Sequence, residues 1–150
     1  MALALEEARK ALAHDDVPVG AVVLINGEVA ASRHNEREKL QDPTAHAEIL
    51  ALRDAARIAG SWRLGVSKLI VTLEPCLMCA GAAVSARIGT LIFGALDSKA
   101  GAVGSLYNVC SDTRLNHRPL VVSGLYAEES SELLTNFFAT KRAQQKPRLP

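Results

Sequence analysis

Aromatic side chains are scarce in this chain: one Trp, two Tyr and three Phe among 150 residues. A core built from it must be filled by small aliphatic side chains, and a hydrophobic content of 49% is enough for one domain. Cysteine is also short. Cys76 and Cys79 have metal-ligand spacing and Cys110 has no further partner, so a disulfide framework is excluded and a reducing cytoplasm is the expected setting. No apolar run approaches the length that spans a membrane. The segment from Met1 to Glu7 breaks its apolar run with two acids and lacks the basic start of a signal peptide. There is no internal repeat, low-complexity stretch or linker, which predicts a single domain over residues 1–150.

Strong net charge is missing as well. A formal charge of +1 gives no global reason to expect a nucleic-acid partner. Acidic residues stop at Glu132, however, and Lys141, Arg142, Lys146 and Arg148 follow. This basic tail, about 141–150, reads equally as a solvated terminus stopped by Pro147 and Pro150 or as a phosphate-binding segment.

Periodicity predicts a first helix over 2–13, with Leu5, Ala8 and Leu12 on one side, ended by Asp15-Asp16-Val17-Pro18. Val19 to Ile25 reads as a buried strand, and Asn26-Gly27 signals a type I′ turn into an antiparallel strand over Glu28 to Ser32. Arg33 to Pro43 is polar and reads as a surface loop. A helix from about Ala45 to Ala59 follows, capped by Thr44 or Asp42 and stopped by Gly60. Ser67 to Leu73 is a second β-branched strand, Cys76 to Ala86 a helix rich in small residues, and Thr90 to Gly94 the next strand, an order that predicts a parallel crossover. Gly101 to Ser105 is a loop, Leu120 to Ser123 a short strand, and Glu128 to about Arg142 a terminal helix with Leu133, Leu134, Phe137 and Phe138 as its apolar face.

Two segments carry chemistry: His46-Ala47-Glu48 and Glu74-Pro75-Cys76-Leu77-Met78-Cys79. One imidazole and two thiolates can hold Zn²⁺ with a fourth position left for water, the arrangement of a catalytic site. A hydrolytic site of this kind also needs a proton carrier that is not a ligand. Glu48, two residues from His46, is the candidate. A Cys-x-x-Cys alone is as often a redox pair or half of a zinc ribbon. A ribbon needs a second such pair, which is absent, and a redox site needs no separate His-Ala-Glu. The remaining polar residues read as structural: His14 and His34 as surface residues beside turns, His117 as a loop anchor, Cys110 as a buried thiol and Trp62 as a cap on the core. Spacing alone gives Asn35 and Asp97 no role.

The pattern His-x-Glu followed by Pro-Cys-x-x-Cys resembles the signature of zinc nucleobase deaminases. Over nearly the whole chain the sequence is similar to the bacterial tRNA-specific adenosine deaminase family, within the cytidine deaminase-like superfamily. The segments carrying the likeness are Val17 to Val22, Asp42 to Ile49, Thr72 to Ala82, Gly94 to Lys99, Gly101 to Ser105, Leu115 to Arg118 and Phe137-Phe138. Free-nucleoside cytidine deaminases generally carry Cys-Ala-Glu where this chain has His46-Ala47-Glu48. Guanine and cytosine deaminases share the metal motifs but lack the Asp97-x-Lys99-x-Gly101-Ala102-x-Gly104-Ser105 loop.

The resemblance implies a three-layer α/β/α cytidine deaminase-like fold with a central five-stranded mixed sheet, a homodimer, and one Zn²⁺ per subunit held by His46, Cys76 and Cys79. It further implies hydrolytic conversion of adenosine to inosine at the wobble position of a tRNA anticodon, with the anticodon stem-loop as partner. By position, Asn35 would hydrogen-bond the flipped base, Asp97 would lie beside a ribose, and Lys99, Lys141 and Arg142 would contact phosphate. The competing readings are a deaminase of a free nucleobase or nucleoside from the same superfamily, and a non-catalytic tRNA-binding subunit. An inactive subunit has no chemical need for Glu48.

Overall fold

The computed structural model describes residues 1–145, so residues 146–150 of the expected basic tail lie outside the described residues. Ten elements follow in order: α1 (Ala2–Lys10, continued by a 3₁₀ turn over Ala11–His14), β1 (Gly20–Ile25), β2 (Glu28–His34), α2 (Arg37–Leu40), α3 (Ala47–Ala59), β3 (Ser67–Leu73), α4 (Leu77–Ser85), β4 (Thr90–Ala95), β5 (Leu120–Ser123) and α5 (Ala127–Gln144). The sheet order is β2-β1-β3-β4-β5. β1 runs antiparallel to both neighbours, whereas β3, β4 and β5 are parallel, so the sheet is mixed as expected. Asn26 and Gly27 both have positive φ, 52° and 80°, the conformation a two-residue I′ hairpin requires.

Alternation along the strands divides the side chains between two faces. Ala21, Val23, Leu69, Val71, Leu91 and Phe93 meet Ala51, Leu52 and Ala55 of α3 and Ala80, Ala83 and Val84 of α4. Val22 and Ile70 point the other way, onto Ala4 of α1. Small residues let these layers approach closely. A Cβ at Gly20 would overlap the Ala4 carbonyl oxygen, so α1 rides directly on the backbone of β1. Leu69, Ile88, Leu91 and Phe93 are almost fully buried, each contributing about 1.5–3 kcal/mol relative to exposure. Aliphatic residues thus do most of the work that aromatics do elsewhere.

Four expectations change. The segment after β2 is on the surface only in part: Asn35 and Glu36 are buried and Arg37–Leu40 forms a short helix, while Glu38 to Gln41 and Pro43 are exposed as expected. The cap of α3 is His46, with extended backbone, and Asp42 instead accepts the Thr44 N–H at 2.8 Å. His14 and His34 are half-buried, their rings 5.2 Å apart, and His34 Nδ1 lies 2.9 Å from Glu7 Oε2 as a donor to it. Trp62 is 57% exposed, under the Arg63 guanidinium, because the Ser61-Trp62-Arg63 link runs outside the core. His117 does anchor a loop, donating from Nε2 to the Ile88 carbonyl at 2.7 Å. Cys110 is a buried thiol pushed up to about 11 by burial.

Candidate active site

The N-terminus of α3 and the junction between β3 and α4 meet at one point. His46 and Cys76 occupy the same position on their helices, the N-cap, each with extended backbone. Cys79 follows one turn into α4 and is fully buried. His46 Nδ1 stands 3.5 Å from Cys79 Sγ and 3.7 Å from Cys76 Sγ. The three ligand atoms lie within 4.8 Å of one another. Tetrahedral zinc with ordinary Zn–N and Zn–S bonds separates a nitrogen and a sulfur ligand by about 3.6 Å. The soft, mixed donor set therefore fits zinc in spacing as well as in chemistry.

Charge at this cluster is polarised. The Cys79 thiol donates to Cys76 and holds the Cys76 thiol down to about 4, with His46 adding to the effect. The same bond, together with burial, pushes Cys79 far up. His46 is raised, chiefly by its contact with Cys76. Glu48 is 4% exposed, and burial pushes its carboxyl up against the opposing pull of the Cys79 thiol. A carboxyl raised from its ordinary range is suited to accept and return a proton near neutral pH.

These groups face a cavity of roughly 410 Å³. It is lined by His46, Glu48 and Cys76, by Val17, Val19 and Asn35, by Leu73 and Glu74, and by Leu96 to Ala100. Leu134 and Phe138 of α5 also line it. Asn35 is held at both ends of its amide: Oδ1 accepts the Ala47 N–H at 2.9 Å and Nδ2 donates to the Val17 carbonyl at 2.9 Å. Asp97 and Lys99 both line the cavity, and Asp97 Oδ1 accepts the backbone N–H of Lys99 at 3.0 Å. Lys141 and Arg142 lie away from the zinc-binding trio, along a neighbouring groove that also includes Phe138, and Lys141 pairs with Asp15.

Two residues at the site have no signal in spacing. Arg37 lines the cavity from α2 and reaches Asp16 only at 3.4 Å. Glu74, read from sequence only as the residue before Pro75, is 2% exposed and accepts N–H groups from Asp97, Val103 and Ser105 at 2.9, 3.1 and 2.9 Å. Burial works to raise the Glu74 carboxyl, but these bonds and the Ser105 hydroxyl outweigh it and leave the carboxyl lowered. The motif Gly101 to Ser105 gave half of this partnership; nothing local to Glu74 gave the other half.

A five-stranded mixed sheet with a His/Cys/Cys group at the helix starts and a buried glutamate beside it defines a zinc-binding deaminase. Residues 1–95 match the family model for the cytidine and deoxycytidylate deaminase zinc-binding region. The tRNA-specific adenosine deaminase of Bacillus subtilis (strain 168) is 47% identical over 143 residues, covering 95% of this chain and 89% of the relative. A solved structure from a study of A-to-I editing by tRNA:A34 deaminases at the wobble position superposes with a TM-score of 0.86 at 48% identity, covering 89% of this chain and 97% of the other. Guanine deaminase from Nitrosomonas europaea shares the fold with a TM-score of 0.79 at 25% identity, covering 92% and 82%. The chain belongs to the bacterial tRNA-specific adenosine deaminase family.

Proposed function

We propose that this chain converts adenosine to inosine at the wobble position of a tRNA anticodon, adding water to the purine ring and releasing the exocyclic amine as ammonia. The observation that carries the reading is the placement of the buried Glu48 carboxyl on the same cavity as His46 and Cys76, at the start of the same helix as the His ligand. His46, Cys76 and Cys79 would hold one Zn²⁺ per subunit, which when bound makes water acidic enough to attack near neutral pH.

Glu48 takes the proton from the attacking water, passes it to a ring nitrogen, and then assists departure of the amine as ammonia. Its burial keeps solvent from competing for that proton. Asn35, fixed by Val17 and Ala47, directs its remaining amide hydrogen toward the base. Asp97 commits Oδ1 to its own turn and leaves Oδ2 for a ribose hydroxyl, a group that DNA lacks. Lys99, Lys141 and Arg142 meet the phosphates, Lys141 by exchanging Asp15 for the RNA. An unpaired anticodon loop lowers the cost of extruding the base.

In this reading residues 1–150 act as one deaminase domain in the cytoplasm, where its tRNA substrate is found. A homodimer is supported by an apolar groove formed by Leu52, Ala56, Trp62, Leu64, Ala82 and Ala86 between α3 and α4. No described helix is long and apolar enough to cross a membrane. Substrate choice is tested by ammonia release from zinc-loaded protein given tRNA, guanine, adenosine or cytosine separately. Release from tRNA alone is expected; release from a free base and none from tRNA would overturn the reading in favour of a small-molecule deaminase.

A further inference from the structure

Glu74 is a buried carboxylate that no step above uses. It follows β3 and precedes Cys76 by two residues. Its four hydrogen bonds come from a single loop, Asp97 to Ser105. Oε2 accepts the Asp97 N–H and the Ser105 hydroxyl, and Oε1 accepts the Val103 and Ser105 N–H groups. Among the described residues no cation pairs with it, so its charge is balanced by loop dipoles alone. The backbone adds two ties in the same place: Glu74 N–H donates to the Ala95 carbonyl and Ala102 N–H to the Pro75 carbonyl, both at 2.8 Å. A Cβ at Gly101 would overlap Glu74 Oε2, so the loop closes on the carboxylate with no space to spare.

The two ends of this arrangement differ in chemistry. One end is the strand terminus that leads to the Cys76 thiolate. The other carries Asp97 and Lys99, which line the same cavity as Asn35. A buried anion that gathers four donors from one loop orders that loop before any ligand arrives, which lowers the ordering cost of binding.

We infer that Glu74 is the positioning residue of the substrate wall, holding the Asp97–Ser105 loop in its binding shape against the metal-ligand end of β3. It borders the cavity, but both of its carboxylate oxygens are committed to the loop, so it acts through the loop. The inference rests on the reading of this cavity as the adenosine site. In Glu74→Gln one acceptor oxygen becomes an NH₂ group facing two donors, and the loop is released. Glu74→Asp keeps the charge but falls a methylene short. Gly101→Ala leaves Glu74 intact and drives the loop off it.

The test measures KM and kcat for an anticodon stem-loop, bound zinc, and amide hydrogen exchange over 97–105 in wild type and all three variants. Glu74→Gln and Gly101→Ala should each raise KM about 10- to 100-fold, the factor carried by one or two lost charge-assisted hydrogen bonds, with kcat changed far less. Exchange at Val103 and Ser105 should quicken in both, zinc content should stay at the wild-type level, and Glu74→Asp should recover part of the KM. Unchanged exchange and KM in Glu74→Gln would overturn the inference. So would loss of zinc with the loop still protected, which would assign Glu74 to the cysteine side instead. If Glu74→Gln does not fold, Gly101→Ala decides by the same criteria. Should wild type fail to act on the stem-loop, the functional reading falls, while the exchange rates still decide whether Glu74 holds the loop.

Discussion

Asn35 Oδ1 accepts the Ala47 N–H at 2.9 Å, across 12 residues of chain. Ala47 is the first residue of α3, and its N–H is one of the donors that a helix start leaves without an internal partner. The helix that carries His46 and Glu48 is therefore capped from outside, and His46, which occupies the N-cap, keeps its ring for other work. Asn35→Ala removes the cap and leaves the buried Ala47 N–H unpaired, while the Val17 carbonyl keeps the Val19 N–H. Urea unfolding should show a loss of about 1–3 kcal/mol. An unchanged midpoint would mean that water replaces the amide.

Acid should weaken the fold through Glu7 and Glu36. Burial works to raise both carboxyls, but Lys10 and His34 on Glu7, and Arg33 on Glu36, outweigh it and leave both below the ordinary 4.5. With folded values below unfolded ones, the unfolded chain binds more protons as pH falls. Their stabilisation is thus fully present above about pH 5.5 and disappears as pH drops through 4.5 and below. The melting temperature measured from pH 7 to pH 3 should fall in that window, and the fall should be shallower in Glu7→Gln/Glu36→Gln.

Metal removal should expose a difference among the cysteines. In metal-free protein the Cys76 thiol sits at about 4 and borders the cavity, whereas Cys110 is buried and pushed up to about 11. At pH 7, iodoacetamide after chelation should modify Cys76 first and Cys110 last. Restoring zinc should protect Cys76, and Cys76→Ser should weaken zinc binding by more than the roughly 10–100-fold that follows loss of a partner outside the coordination sphere. Equal labelling with and without zinc would remove Cys76 from the ligand set.

Local sequence carried the fold further than it carried the site. Ser67–Leu73 and Leu120–Ser123 coincide with the expected strands because each is a short β-branched run between breakers, and Asn26-Gly27 fixed a hairpin by its backbone preference alone. The metal trio was legible because ligand spacing is itself chemistry. Asn35 and Glu74 were not legible from spacing: their partners lie 12 to 31 residues away, and a polar residue's burial depends on those partners. The same reason misplaced the start of the stretch from Arg33 to Pro43, where polarity suggested solvent while Asn35 and Glu36 are buried and Arg33 pairs with Glu36 and Asp54; Glu38 to Gln41 and Pro43 are exposed as their polarity suggested. Trp62 erred in the opposite direction, since an apolar residue on a tight link has no layer to enter.

The decisive comparison sets zinc-loaded wild type beside Glu48→Gln on a full set of tRNAs, followed by sequencing of the complementary DNA at the anticodon. Wild type should turn the wobble adenosine of at least one tRNA into a base read as guanosine. Glu48→Gln, with the same zinc content, should slow that conversion by about 10²–10⁴-fold. Wild-type conversion that persists undiminished in Glu48→Gln would remove Glu48 as the proton carrier. No conversion by wild type on any tRNA would contradict the wobble-adenosine reading itself.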